Sequence, residues 1–254
     1  MPWAARRKLI IMIIVCAFIV AFVATVLISV LYKTPTCSDN VRNQGEIGVD
    51  CGGPCPYLCS SQVLPPTVIF SKALDNGLGR IDLIASVQNK NLTAGAKDVP
   101  YHVTLYSSDQ SLIREFDGTL DLPAGATVPV YIPSVATVRQ KVIGAFLTIA
   151  DFAPRWFNMT TDQRAVPTVV QTVRGGSINA PLVQAVLANQ SGGALSNVQV
   201  IVFVHNTSSD VIAASQTIVP SISAQGRAVA SFTWNSRFSD TPASIEVVPI
   251  IPLP

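Results

Sequence analysis

Residues 99–106 read VPYHVTLY, and the apolar side chains of this stretch alternate with more polar ones. The residues that share one face of an extended chain are Val99, Tyr101, Val103 and Leu105. Such alternation is typical of a half-buried β-strand. Similar runs lie at 81–87, 128–132 and 142–149. They recur at roughly 8–12 residues, with turn signals between them and without a convincing amphipathic helix, which predicts an antiparallel β-sandwich.

The second half of the chain repeats the pattern of the first at an offset of about 100 residues. Asn89 and Asn189 each follow an apolar run and lead into a turn of small residues. The Pro-Ala-Gly turn at 123–125 corresponds to Ala-Gln-Gly at 224–226. We therefore expect two tandem Ig-like sandwiches, at 63–153 and 154–254, joined near 152–166. No Cys-Trp-Cys spacing occurs within them, so the Ig likeness concerns architecture alone.

The N-terminal part of the chain has a different character. Residues 9–32, LIIMIIVCAFIVAFVATVLISVLY, contain no charged residue. As a helix they would be about 36 Å long, enough to cross a hydrocarbon core of about 30 Å. A cleaved signal peptide is the alternative, but its apolar region is usually about 7–15 residues long. The pattern favours an uncleaved single-pass signal anchor that contacts the lipid bilayer.

Basic residues flank this segment unequally. Arg6, Arg7 and Lys8 precede it, and Lys33 alone follows it closely. Because cytoplasmic flanks carry the excess of Lys and Arg, this asymmetry predicts that residues 1–8 are cytoplasmic. It places everything after Lys33 on the extracytoplasmic side of the cell membrane.

Composition excludes two broad classes of protein. Charged residues make up 13% of the 254 residues and hydrophobic residues 49%, so the chain is not intrinsically disordered. The net charge is +2, and four of the 17 basic residues flank the apolar segment. The remainder carries 13 basic and 15 acidic residues. A nucleic-acid-binding protein is therefore not expected.

A cysteine-rich module is predicted at 33–62. Its four cysteines, Cys37, Cys51, Cys55 and Cys59, follow the spacing C-x13-C-x3-C-x3-C. Zinc sites usually use two C-x2–4-C pairs, whereas thiols outside the cytoplasm oxidise. Two disulfides are therefore favoured over zinc, and three pairings remain open.

Oxygen-bearing side chains lie between these cysteines. Asp39, Asn43, Glu46 and Asp50 alternate with glycines, and Ca²⁺ prefers 6–8 oxygen ligands on flexible loops. The alternative is that these side chains cap turns and face water. A calcium site at these four residues is thus one of two hypotheses.

Catalytic motifs are not recognisable in the sequence. His102 is expected on the solvent side of its strand and His205 at a strand end, and neither has a nucleophile or a carboxylate pair close in sequence. Four Asn-x-Ser/Thr sequons start at Asn91, Asn158, Asn189 and Asn206, all in predicted loops where they would be exposed. We expect a protein that is not an enzyme.

Three resemblances add to these expectations. The stretch from Cys37 to Cys59 resembles a cysteine motif of many secreted and surface-anchored microbial proteins, roughly C-x-D-G-x-x-N-x-x-E-x-x-V-D-C-G-G-x-C-x-x-C. Asn40 stands where that motif usually has Gly. The later part is similar to FxLYD-like and other Ig-like modules of envelope proteins. The whole order resembles single-pass envelope proteins of small-genome uncultivated bacteria, which implies an extracytoplasmic location and assigns no activity.

These expectations combine into two functional hypotheses. The favoured one is a membrane-anchored, non-catalytic structural, adhesive or assembly subunit of the cell envelope that displays tandem Ig-like modules. Its weakly charged sheet edges would take a protein partner or a second copy of the chain. The alternative is a calcium-stabilised receptor or sensor-like ectodomain that acts through a membrane partner.

Overall fold

The computed structural model describes residues 3–31, 36–77, 79–150 and 154–254. The chain divides into two compact units, Met1–Pro56 and Tyr57–Pro254. Several expected boundaries lie outside the described residues: residues 1 and 2 of the segment predicted to be cytoplasmic, Tyr32 at the end of the predicted apolar segment, Lys33 after it, and 151–153 at the predicted join between the sandwiches. The fold is mainly β with one long N-terminal helix, as the sequence predicts.

Helix α1 spans Trp3–Leu31. It begins six residues before the predicted segment because the basic cluster continues the helix; Arg and Lys are good helix formers. The stretch Arg6–Ser29 is long and apolar enough to cross a membrane. Its described side chains are all exposed.

The first module, as described, contains seven strands in two antiparallel sheets. They are β1 (Thr67–Asp75), β2 (Arg80–Gln88), β3 (Ala94–Ser107), β4 (Leu112–Leu122), β5 (Thr127–Thr137), β6 (Val142–Ile149) and β7 (Trp156–Asn158). One sheet has the order β1-β2-β5 and the other β4-β3-β6, with β7 paired to the start of β3.

The second module has six strands among the described residues. They are β8 (Thr168–Ser177), β9 (Ala180–Ala188), β10 (Leu195–His205), β11 (Val211–Ile222), β12 (Arg227–Thr233) and β13 (Ser244–Ile250). The sheets have the orders β8-β9-β12 and β11-β10-β13. Counting from the first strand of each module, these are the same orders as β1-β2-β5 and β4-β3-β6. The duplication predicted from the sequence is therefore confirmed.

A shared irregularity supports the same conclusion. The register of β1 on β2 shifts between Val68 and Phe70, and that of β8 on β9 shifts between Val169 and Gln171. A β-bulge at the same place in both modules indicates two copies of one architecture.

Each module encloses its own hydrophobic core. The first core includes Leu83, Val103 and Leu105 and the second includes Val183, Val202 and Phe232, all nearly inaccessible to solvent. These residues occupy alternate positions along their strands, as period-2 patterning requires.

The join between the modules differs from the expected position. Strand β7 lies after residue 153, yet it pairs with Ala94–Ala96 of the first module. The backbone N–H of Leu58 donates to the carbonyl of Trp156 at 2.7 Å. The unit of the sandwiches therefore begins at Tyr57, before the predicted residue 63, because these segments complete the first module.

Candidate functional site

The four predicted disulfide cysteines are oxidised. Cys37 is bonded to Cys55, with their Cα atoms 5.6 Å apart. Cys51 and Cys59 are also disulfide-bonded. Of the three sequence alternatives, the structure selects one that contains the Cys37–Cys55 bridge. In a loop-rich segment with few apolar residues, such bridges replace a hydrophobic core.

A cluster of sulfur and oxygen atoms surrounds this bridge. One potential ligand atom from each of Cys37, Glu46 and Cys55 lies within 4.8 Å of the others. The two sulfurs belong to the disulfide, and a metal ion binds the thiolate form of cysteine. The cluster in this oxidised form therefore does not have the donors of a zinc site.

The oxygen-bearing residues predicted for calcium form a hydrogen-bonded turn network. The carboxylate of Asp50 accepts the backbone N–H groups of Asp39 and Asn40, each at 3.0 Å. The carboxylate of Asp39 accepts the N–H of Val41 and the side-chain amide of Asn43, each at 2.9 Å. These two carboxylates therefore act as caps for backbone donors.

Glu46 has the most enclosed of these side chains, with 4% of its surface exposed. Its Oε2 accepts the backbone N–H of Asp50 at 3.2 Å and that of Asn43 at 3.4 Å. The structure thus brings Asp39, Asn43, Glu46 and Asp50 together, in the arrangement expected of the turn-capping alternative. Calcium binding by these residues stays a prediction.

The two modules pack on each other through one face of each. Ile84 of β2 lies against Ile201 and Phe203 of β10 in a shared buried cluster. The ring centroids of Phe70 and Phe203 are 6.1 Å apart. The sheet β1-β2-β5 is therefore covered by the sheet β11-β10-β13, and the pair forms a four-layer stack.

A buried carboxylate lies on the covered sheet. Asp82 is 1% exposed and accepts hydrogen bonds from the Tyr131 hydroxyl at 2.7 Å and the Ser134 backbone N–H at 2.8 Å. Burial and the hydrogen bond to Asp82 raise the pKa of Tyr131. The carboxylate thereby links strands β2 and β5 through these hydrogen bonds.

The two outward faces of the stack differ from the packed faces. In the first module, the positions equivalent to Ile201 and Phe203 are His102 and Thr104. In the second module, the position equivalent to Ile84 is Gln184. Polar residues at these positions would lose water without gaining partners if another sheet packed on them.

Two clefts run along the junction of the modules. The first, of about 1190 Å³, is lined by the ends of β1 and β8 and by residues 236–242. The second, of about 670 Å³, lies between β5 and β13 and contains Asp162 and Arg164. In the second cleft the two groups form an ion pair at 2.7 Å, which lowers the pKa of Asp162.

The two histidines lie outside both clefts. His102 Nδ1 is 2.8 Å from Asp117, and its Nε2 is 3.7 Å from Glu115. His205 Nε2 is 3.3 Å from Glu246. Each histidine is at the surface or a strand end, as predicted, but the sequence spacing did not reveal the cross-strand acids. The hairpin between β3 and β4 sets the register that pairs His102 with Asp117.

Three of the four sequon asparagines do not have the expected exposure. Asn189 is 3% exposed, and its amide donates to the carbonyl of Gly193 at 2.7 Å. The expectation that all four sequons lie exposed in loops is therefore wrong: Asn189 is buried because its side chain holds the loop together from inside, Asn91 and Asn206 are half-buried, and Asn158 is exposed but lies in strand β7.

The basic residues used to predict topology lie in the first turns of α1. Arg6, Arg7 and Lys8 are exposed, and the guanidinium of Arg7 lies 4.4 Å from the ring centroid of Trp3. Trp and Arg together suit the headgroup level of a bilayer. Their positions agree with the end of a membrane-spanning helix.

Comparison with protein-family models and with curated proteins gives no match to this chain. The class of protein is therefore defined by its fold: a mainly β chain with an apolar N-terminal helix, a disulfide-bonded turn segment and two packed β-sandwich modules.

Proposed function

We propose that this chain is a membrane-anchored, extracytoplasmic and non-catalytic protein of the cell envelope, a structural, adhesive or assembly subunit that displays two Ig-like modules. The observation that carries the proposal is the exposed apolar surface of helix α1, together with the disulfide bonds of the four cysteines that follow it in the chain.

The helix argues for lipid contact. Its apolar side chains, such as Phe18 and Phe22, are exposed over most of their surface. Exposed apolar surface costs about 25 cal/mol per Å² in water, and 24 residues of it would make a soluble monomer aggregate. A bilayer removes this cost, and the helix satisfies its own backbone hydrogen bonds there.

The disulfides argue for the oxidising side of the membrane. Disulfides persist outside the cytoplasm and are reduced within it. With the Arg6–Lys8 cluster before the helix, the positive-inside rule gives the same direction. Residues after the helix would then lie outside the cytoplasm.

The packed modules argue for display of a rigid body. Their shared buried cluster, from Phe70 to Ile250, holds them in one arrangement. Loops and sheet edges are thereby presented at fixed positions, which suits adhesion or assembly. Among the described residues, the two histidines meet acids at the surface and away from the clefts, which favours a binding role over catalysis.

The topology can be tested with single engineered cysteines and a membrane-impermeant maleimide, in a Cys16→Ser background. Gln190→Cys is expected to react in intact cells, because Gln190 is exposed in the second module. Lys8→Cys is expected to react after permeabilisation only. The reverse labelling pattern, or a protein that leaves the membrane fraction on alkaline washing, would contradict the proposal.

A further inference from the structure

The turn between β1 and β2 contains the one Asn-Gly pair of the chain, Asn76 followed by Gly77. Such a pair is chemically labile because glycine has no Cβ, so its backbone nitrogen can approach the side-chain carbonyl carbon of the asparagine before it. Asn76 is half-buried and Gly77 is exposed. Both line the first cleft at the junction of the modules, so water reaches them.

The structure favours an amide side chain at position 76. The side-chain amide of Asn76 donates to Oδ1 of Asp82 at 3.2 Å. Asp82 is 1% exposed, and its Oδ2 accepts the Tyr131 hydroxyl at 2.7 Å. An uncharged donor suits this buried carboxylate, whereas a second carboxylate at position 76 would face it with like charge.

The structure favours a glycine at position 77 for a separate reason. Gly77 has a φ of +76°, and a Cβ built there would overlap Oγ of Ser236. Ser236 follows β12 of the second module, so a side chain at position 77 would push the two modules apart at this point. The fold thus places the two members of a labile pair next to each other, each for its own structural reason.

A proton acceptor lies beside this pair. The backbone N–H of Gly77 donates to Oδ1 of Asp75 at 2.9 Å. A general base must lie within about 2.6–3.2 Å of the atom whose proton it removes, and this carboxylate meets that condition. Because the backbone nitrogen of Gly77 is the nucleophile when an Asn-Gly pair cyclises, Asp75 is placed to assist its attack.

We propose that Asn76 and Gly77 form a self-modification site, at which the asparagine amide becomes an acid through a cyclic imide without an enzyme. The backbone nitrogen of Gly77 bonds to Cγ of Asn76 while its proton passes to Asp75. The Cγ–Nδ2 bond breaks, and Nδ2 takes up that proton and leaves as ammonia. Water then opens the ring at either carbonyl and gives aspartate or isoaspartate, with no change of oxidation state. The reaction consumes water alone and is independent of the proposed envelope role.

The modification has a defined effect on the fold. A carboxylate replaces the amide donor of Asp82, which is buried and accepts the hydroxyl of Tyr131. Tyr131 also packs against the buried cluster between the two modules. Isoaspartate in addition lengthens the backbone by one carbon and moves Gly77 relative to Ser236. Both products therefore weaken the contact between the modules, and the protein becomes less stable as it ages.

The first test follows the reaction in the full chain, solubilised in detergent and incubated at mildly alkaline pH in heavy-oxygen water. Peptide mapping by mass spectrometry is expected to show aspartate and isoaspartate at position 76, with one oxygen from the solvent. Asn179 is the internal control, since it is exposed in the turn between β8 and β9. It is followed by Ala180, whose Cβ hinders ring closure, and should stay an amide. Equal conversion at the two positions, or an Asn76 that stays an amide, would overturn the proposal.

A second test concerns the neighbouring carboxylate. In Asp75→Asn an amide oxygen accepts the same hydrogen bond but does not take the proton, so conversion of Asn76 should slow by at least about tenfold. Asp240→Asn is the matched control: Asp240 also lines the first cleft, but it accepts from the side chain of Asn206. The control should convert at the rate of the parent. Equal rates in the two variants would remove Asp75 from the reaction.

A third test measures the consequence for stability. Asn76→Asp carries one product from the start, and its melting temperature is expected to lie a few degrees below that of the parent. Asn179→Asp adds the same charge at an exposed turn and should leave the melting temperature unchanged. Asn76→Gln keeps an amide but would need a larger ring to cyclise, so it should resist conversion under the conditions of the first test. If Asn76→Asp is as stable as Asn179→Asp, the effect on the module contact is refuted.

Discussion

Asn89 and Asn189 make equivalent hydrogen bonds in the two modules, each at the end of the second strand of its module. The Asn89 amide donates to the carbonyls of Ala94 and Pro123, both at 2.8 Å. Its Oδ1 accepts the backbone N–H of Asn91 at 2.9 Å. The side chain is 1% exposed, so it is an internal brace between two loops.

The second module repeats this brace. The Asn189 amide donates to the carbonyls of Gly193 at 2.7 Å and Ser223 at 3.1 Å. Its Oδ1 accepts the backbone N–H of Ser191 at 3.0 Å. Because an amide is the side chain that both donates to and accepts from backbone here, Asn is required at this position.

The first prediction concerns this brace. Asn89→Ala and Asn189→Ala are each expected to lower the free energy of unfolding by about 2–4 kcal/mol, because several buried carbonyls lose their donor at once. Urea denaturation of the detergent-solubilised chain measures the change. The exposed neighbours provide controls: Lys90→Ala and Gln190→Ala should stay within about 0.5 kcal/mol of the parent. Equal effects at both pairs of positions would show that the brace is not important.

A second prediction concerns the disulfide segment. Gly53 has a φ of +60°, and a Cβ built there would lie 2.3 Å from the carbonyl oxygen of Gly45. Gly53→Ala is therefore expected to disturb the turn and reduce the yield of the Cys37–Cys55 bridge, measured by peptide mapping of the oxidised protein.

Gly45 offers the matched control for this variant. It also has a positive φ, of +88°, but nothing lies within 4 Å of its added Cβ. Gly45→Ala should cost only the left-handed backbone strain, about 1–2 kcal/mol, and leave the bridge intact. If both variants lose the bridge equally, the close approach of the two glycines has no role.

A third prediction concerns the packing of the modules. Phe203→Thr places at the interface the residue that the first module has at its solvent-facing equivalent, Thr104. The expected loss is about 3–4 kcal/mol, since a buried ring is removed from the shared cluster. Differential scanning calorimetry should then show two transitions where the parent shows one.

The control for that variant is Phe146→Thr, which makes the same chemical change on an exposed face of the first module. It should leave a single transition with little change in melting temperature. Two transitions in the parent protein would mean that the shared cluster does not couple the modules.

A fourth prediction concerns pH. The hydrogen bond to Asp117 raises the pKa of His102 above its usual value of 6.5, with a further contribution from Glu115. Since the folded pKa is raised, the pair stabilises the fold below about pH 6.5 and loses this contribution as the pH rises through the folded pKa. The effect is small because both side chains are exposed.

NMR titration of the imidazole measures this shift directly. Asp117→Asn should lower the pKa of His102 toward the usual value. Glu115→Gln should lower it less, because its carboxylate is 3.7 Å away against 2.8 Å for Asp117. An unchanged titration in Asp117→Asn would refute the assignment of the cause.

A fifth prediction distinguishes the two hypotheses for Asp50. Its carboxylate accepts two backbone N–H groups, so Asp50→Ala is expected to destabilise the segment by about 1–3 kcal/mol with or without calcium. Thermal unfolding of the parent and of Asp50→Ala, in millimolar Ca²⁺ and in EGTA, measures the effect of the substitution and the effect of Ca²⁺ on stability. A melting temperature that rises with Ca²⁺ in the parent and not in Asp50→Ala would favour the calcium hypothesis instead.

Much of the fold could be predicted because alternation and turn residues act locally. Val99, Val103 and Leu105 lie in the core, as their spacing predicts. The exposure of Asn189 could not be predicted in this way. Its sequon lies in a loop, and only the approach of the 222–223 carbonyls from the next hairpin buries the amide.

The sequence by itself determined the apolar helix, the mainly β fold, the duplication and the oxidised cysteines, because each follows from composition and short-range periodicity. The tertiary structure decided which sheet faces meet, which strand edge stays open and which acid reaches His102. Those outcomes depend on register and packing between segments distant in the chain. Two strands with similar alternation, β1 and β8, thus end in different surroundings, one covered by the neighbouring module and one exposed along its whole length.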